Sequence, residues 1–142
     1  MTKKEIAIRL EPSPENPRNS EGDFIKLNDG KILFVYTHFT GGSGDHATAS
    51  LAGRISNDDG RTWSKDDIPI LANEGDMNIM SVSLIRLSDD RIALFYLRKN
   101  SESDCMPYMR LSNDEAKTWG EAKGCIEPVG YYVMNNDRVV KL

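Results

Sequence analysis

Ser56-Asn57-Asp58-Asp59-Gly60-Arg61-Thr62-Trp63-Ser64 decides the reading of this chain, because it is written twice. The second copy, Ser112-Asn113-Asp114-Glu115-Ala116-Lys117-Thr118-Trp119-Gly120, keeps the serine, the first aspartate, the threonine and the tryptophan in register. A longer repeat surrounds both copies. Phe24-Ile25-Lys26-Leu27-Asn28-Asp29-Gly30-Lys31-Ile32-Leu33-Phe34-Val35-Tyr36 matches Leu84-Ile85-Arg86-Leu87-Ser88-Asp89-Asp90-Arg91-Ile92-Ala93-Leu94-Phe95-Tyr96 at an offset of sixty, while the nine-residue stretches are offset by fifty-six. Arg138-Val139-Val140-Lys141-Leu142 matches Asp23 to Leu27 and is expected to open a third unit.

Each unit reads as four strands. In the first these are Asp23–Leu27, Lys31–Tyr36, Ser50–Ile55 and Asp67–Leu71. Asn28-Asp29-Gly30 is a tight-turn signal, with Gly supplying positive φ. Lys31–Tyr36 is apolar at nearly every position, as suits a strand covered on both faces. The second unit repeats this as Ser83–Leu87, Arg91–Leu97, Pro107–Leu111 and a weak strand near Gly124–Ile126. No segment shows capped 3.6-residue periodicity, so no long helix is expected. Ile6–Leu10 alternates and reads as an outer strand; Pro12, Pro14 and Pro17 then make a stiff connector. Units of this length with several strands each predict an all-β propeller. Its organisation is a strand and connector over 1–19, blade 1 over 20–76, blade 2 over 77–130 and the start of blade 3 over 131–142. About two and a third blades cannot protect their own edges, so the chain is expected to be the N-terminal piece of a longer protein or to self-associate.

Composition narrows the function classes. The net charge is −4 over 142 residues, and Lys and Arg are dispersed, which argues against nucleic acid or an anionic membrane as partner. No apolar run approaches the roughly 20 residues of a membrane span. Met1-Thr2-Lys3-Lys4 leads into no apolar stretch, so no leader is visible and the sequence as written reads as cytoplasmic. Cys105 and Cys125 are expected to be free thiols.

In the repeated stretch, Asp58 and Asp114 are expected to accept backbone N–H groups within a tight turn, with Ser56 and Ser112 adding side-chain bonds. Gly60 tolerates positive φ, whereas Ala116 does so poorly, predicting a distorted second turn. Trp63 and Trp119 offer area for packing between sheets. These residues read as structural. Ligand contacts are expected at one end of the ring, from the polar run Asn16–Asp23, the loop His38–His46, its counterpart Arg98–Asp104, and Tyr131–Arg138.

The pattern Ser-x-Asp-x-Gly-x-Thr-Trp resembles the Asp-box, or BNR repeat, of sialidases and related β-propellers. The resemblance spans roughly residues 20 to 142 and implies a six-bladed fold with its boxes at the blade periphery. It implies a glycoside hydrolase acting on terminal sugars of glycans, without cofactor or metal. Asp45 matches the place of the sialidase acid, which needs a pKa raised by burial or by a neighbour such as Glu21 or Asp23. Arg18, Glu21, Asp23, His46, Asn136, Asp137 and Arg138 would shape the sugar site. The first substrate-binding arginine of sialidases has no counterpart at Ser20-Glu21-Gly22, and Arg18 lies two residues away. The tyrosine nucleophile belongs to later blades, so the chain alone is expected to be inactive. The competing reading is a non-catalytic propeller that binds carbohydrate or protein. Metal binding by His38, Asp45 and His46 ranks lowest, because their spacing is irregular.

Overall fold

Two hairpins set the registers of two sheets. At Asn28-Asp29-Gly30 the Leu27 N–H donates to Lys31 O (2.8 Å) and the Gly30 N–H to Leu27 O (3.0 Å), with Gly30 at φ 88°. Ser88-Asp89-Asp90 makes the same turn, and there a non-glycine residue, Asp90, takes φ 72°. The computed structural model describes residues 5–142, so the reading of Met1–Lys4 lies outside them. Sheet A comprises β1 (Arg18–Lys26), β2 (Ile32–Phe39), β3 (Ala49–Ser56) and β4 (Ile68–Leu71), paired antiparallel in that order. Sheet B repeats the order with β5 (Asn78–Arg86), β6 (Ile92–Lys99), β7 (Cys105–Ser112) and β8 (Lys123–Gly124). Among the described residues there is no helix.

Several boundaries correct the sequence reading. β1 and β5 start five residues before the expected Asp23 and Ser83. Each carries a bulge at the same place, between Ser20 and Asp23 and between Met80 and Ser83. The extra residue sits at positive φ in both, Glu21 at 51° and Ser81 at 63°. Such a bulge breaks the side-chain alternation on which strand recognition rests. Ile6–Leu10 forms no strand, and Arg138–Leu142 forms none either.

The repeated nine-residue stretch closes β3 and β7 with one hydrogen-bond scheme. Ser56 Oγ donates to Asp58 (2.9 Å) and accepts the Gly60 N–H (2.8 Å). Asp58 accepts the Thr62 N–H (2.8 Å) and the Thr62 hydroxyl (2.6 Å). Asp114 takes the same two bonds from Thr118 at 2.9 and 2.6 Å. The threonine bonds hold both carboxyls down to about 2. Contrary to the expected distortion, Ala116 adopts φ 64° and keeps its bond to Ser112 Oγ at 2.9 Å. The turn imposes the left-handed conformation and Ala116 bears the strain. Ala116→Gly is therefore expected to raise stability by about 0.5–1 kcal/mol in urea unfolding. Gly60→Ala should lower it by about 1 kcal/mol. A Cβ at Gly60 would meet nothing nearer than 3.8 Å, so strain alone sets that cost.

The sheets stack face to face and do not close into a ring. Sheet A contributes Ile25, Leu33, Val35 and Leu51 to the shared core, and sheet B contributes Ile79, Val82, Leu84, Ile92, Leu94 and Tyr96. Burying each such side chain contributes about 1.5–3 kcal/mol. Polar ties cross the same interface. Asp23 is buried, and its carboxylate accepts the Leu84 N–H of the other sheet at 2.7 Å and the Phe24 N–H at 2.6 Å. At the hairpin end Glu115 accepts the Asn28 N–H (2.6 Å) and pairs with Arg86 (2.8 Å). Trp119 packs against this core, whereas Trp63 lies with Phe24 and Phe34 on the other face of sheet A.

Candidate functional site

Arg18 begins β1, Asn78 begins β5, and Lys99 ends β6 directly opposite Asn78, so the register brings all three to one end of the sheets. The loop between β2 and β3 folds over them. Asp45 in that loop ties the sheets together: its carboxylate takes Arg18 at 2.5 Å, and its carbonyl accepts Asn78 Nδ2 (2.9 Å) and Lys99 Nζ (3.1 Å). Arg18 also lies 4.5 Å over the Phe39 ring, and Lys99 Nζ 5.4 Å from the Tyr131 ring. His46 is exposed beside Asp45. The upward pKa shift expected of Asp45 is not found. Hydrogen bonding and charge from Arg18 hold its carboxyl below the usual carboxylate range. It is ionised at neutral pH and suits an anchor better than an acid.

The remaining predicted residues gather along the bulges. Glu21 accepts a hydrogen bond from Ser81 Oγ at 3.2 Å. Asn136 donates to Gly22 O (3.0 Å), the Asp137 N–H to Val82 O (3.1 Å), and the Arg138 N–H to Ser83 Oγ (3.2 Å). Asp137 takes φ 51° and is left-handed, as Glu21 and Ser81 are. Burial raises the Asp23 carboxyl above its ordinary value, and the nearby Asp137 charge adds to this against the two backbone bonds. Neither Glu21 nor Asp23 bonds Asp45, so they are not its neighbours. The structure thus separates Arg18, Asp45 and His46 from Glu21, Asp23, Asn136, Asp137 and Arg138.

Sequence reading missed a repeated cluster of tyrosine, arginine and acid. In sheet A, Tyr36 and Arg54 share Asp67; the Arg54–Asp67 distance is 2.7 Å. In sheet B, Tyr96 (2.5 Å) and Arg110 share Glu74, which comes from the segment linking the sheets. Burial, then the carboxylate, pushes Tyr36 up to about 12 and Tyr96 higher still. The signal was present: Tyr36 and Tyr96 are sixty apart, Arg54 and Arg110 fifty-six. The offset of sixty likewise pairs Arg18 with Asn78. A cavity of about 600 Å³ beside the sheet A cluster is lined by Leu10, Asn19, Tyr36, His38, Arg54 and Trp63 among others. In both sheets the tyrosine is buried and its arginine and acid are only partly exposed, which marks the cluster as a packing feature.

Cys105 is buried and Cys125 exposed, both as free thiols. Burial pushes the Cys105 thiol up, away from reactivity. Among the described residues no group of three or more His, Cys, Asp or Glu is placed to hold a metal ion.

Comparison with known proteins bears on the fold. The chain is similar to a protein of unknown function from Dyadobacter fermentans DSM 18053, with a TM-score of 0.67 and 17% identity over 89% of this chain and 42% of that one. It is also similar to an ulvan lyase of polysaccharide lyase family PL25, with a TM-score of 0.52 and 15% identity over 78% of this chain and 24% of that one. The chain therefore spans less than half the length of either structure, and at these identities the likeness shows the fold alone. No family model matches the sequence, and no curated protein matches it.

These findings correct the resemblance drawn from the repeated stretch. They give no support to membership of the sialidases, to a BNR-repeat assignment or to glycoside hydrolysis. What the two stretches share is a turn held by serine, aspartate and threonine, and local hydrogen bonding suffices to explain its recurrence.

Proposed function

We propose that this chain supplies two consecutive blades, residues 20–76 and 77–130, to a β-propeller that binds carbohydrate at the end where β1 and β5 begin. Arg18, Asp45 and His46 would meet the glycan there, with Glu21, Asn136, Asp137 and Arg138 extending the polar surface along the bulges. The observation that carries this reading is the convergence of Arg18, Asp45, Asn78 and Lys99, drawn from both sheets, at that single end. The Arg18 guanidinium and the ionised Asp45 form a fixed donor and acceptor pair, which suits sugar hydroxyls and carboxylates. Support also comes from the fold shared with a polysaccharide lyase. Asp45 acts as an anchor in this reading.

A glycan array that includes ulvan and dextran tests it. Binding to at least one polysaccharide is expected, weakened about tenfold in Arg18→Ala and in Asp45→Asn, or about 1.4 kcal/mol. Binding to none, or binding that both variants leave unchanged, would overturn the reading.

A further inference from the structure

We infer that the aromatic face of sheet A is a docking surface for the outer face of sheet B in a second copy of this chain, so that copies associate head to tail. The internal repeat identifies the surface. Phe24, Ile32, Phe34 and Tyr36 stand sixty positions before Leu84, Ile92, Leu94 and Tyr96. In sheet B those side chains are sealed beneath sheet A, with Leu84 7% exposed and Ile92, Leu94 and Tyr96 at 0%. Phe24 is 54% exposed, and Ile32 and Phe34 are only partly covered, whereas Tyr36 is already buried at 1%, so the open part of the surface is Phe24, Ile32 and Phe34. Phe24 stacks on Phe34 at 4.5 Å and meets Trp63 at 5.8 Å, giving a continuous apolar patch. Residues of the N-terminal segment such as Ile8 and Leu10 lie beside Phe34 and Tyr36 and leave Phe24 open. An aromatic patch of this kind marks a contact surface.

The complement lies on the same chain. Sheet A covers sheet B with Ile25, Leu33, Val35 and Ile55. Their repeat equivalents are Ile85, Ala93, Phe95 and Leu111. Pleating points these to the side of sheet B away from sheet A, with Met109 opposite Phe95 on the neighbouring strand. Ile85, Phe95, Met109 and Leu111 are all partly exposed. One face of the molecule therefore repeats the surface that sheet A covers, and the opposite face repeats the surface that covers it. Because the two lie on opposite sides, the contact is heterologous and propagates until it closes. Rings of about four to eight sheets are the stable range, which corresponds to about two to four copies. The inference is independent of glycan binding, since either can fail while the other holds.

Light scattering coupled to size exclusion tests it on the whole chain. At about 100 µM the expected mass is two to four times 15.9 kDa. Phe24→Asp and Met109→Asp should each run as monomers, one having lost the aromatic face and the other its complement. Mixed together, the two variants each retain one intact surface and should form a one-to-one dimer that grows no further. Circular dichroism confirms that each is folded, and Phe95→Ser replaces Met109→Asp if that variant is not. A monomeric parent chain, a Phe24→Asp variant of unchanged mass, or a mixture of folded variants that stays monomeric would overturn the inference.

Discussion

Replacing Leu94 by alanine is expected to lower the unfolding free energy by about 3 kcal/mol. Leu94 is fully buried on the central strand β6, in the core that both sheets share. Its loss removes transfer free energy and opens a cavity between rigid pleated faces that cannot collapse. The two tryptophans give a more searching readout than a single midpoint. Trp63 reports on sheet A and Trp119 on sheet B. Single-tryptophan versions of the variant should show both signals moving to lower denaturant together, because Ile25, Leu33 and Val35 share one buried cluster with the sheet B residues. A shift confined to the Trp119 signal would mean that the sheets unfold as separate units and that the shared core does not couple them.

The second large effect is expected at Arg110. Its side chain and that of Glu74 are 20% and 18% exposed, and together with Tyr96 they form a closed cluster at the edge of the inter-sheet core. Arg110→Ala leaves the Glu74 carboxylate with only the Tyr96 hydroxyl, and a cost of about 3 kcal/mol is expected from the stranded charge. Arg54→Ala should cost less, because Asp67 is 34% exposed and water can take over. Adding Glu74→Gln to Arg110→Ala should restore part of the loss by removing the charge. Thermal unfolding of the three variants at neutral pH checks this. Equal losses for Arg110→Ala and Arg54→Ala would show that burial between the sheets is not what makes the cluster matter.

The parts of the fold legible in the sequence were those where pattern and burial agree. β2 and β6 are apolar at nearly every position, and the expected Lys31–Tyr36 and Arg91–Leu97 fall within a few residues of the observed strands. The starts of β1 and β5 were hidden because Arg18-Asn19-Ser20 is polar and the bulge at Glu21 interrupts the alternation. Ile6–Leu10 has the alternation of a strand but pairs with no sheet edge, and pattern alone does not reveal that. Asp45 stood out through its loop, yet its ion pair with Arg18 spans 27 positions and nothing local announces it. The turn at Ser56–Ser64 was legible as a turn because its bonds are local. As a family marker it misled, for the same reason: a serine, an aspartate and a threonine at these spacings satisfy one another whatever protein they stand in.

The bulges at Glu21 and Ser81 have a consequence for how this scaffold can change. By inserting one residue, each bulge resets the inward and outward alternation between the first three positions of its strand and the rest. Arg18, Asn19 and Ser20 are thereby released from the in-and-out order that Asp23 to Leu27 must keep for the core. Side chains at that end are set without fixing which face Asp23 to Leu27 present to the core. A left-handed joint near the start of β1 and of β5 thus works as a coupling that passes position and not sequence constraint, and the ends of the two sheets differ accordingly, with Arg18 in one and Asn78 in the other.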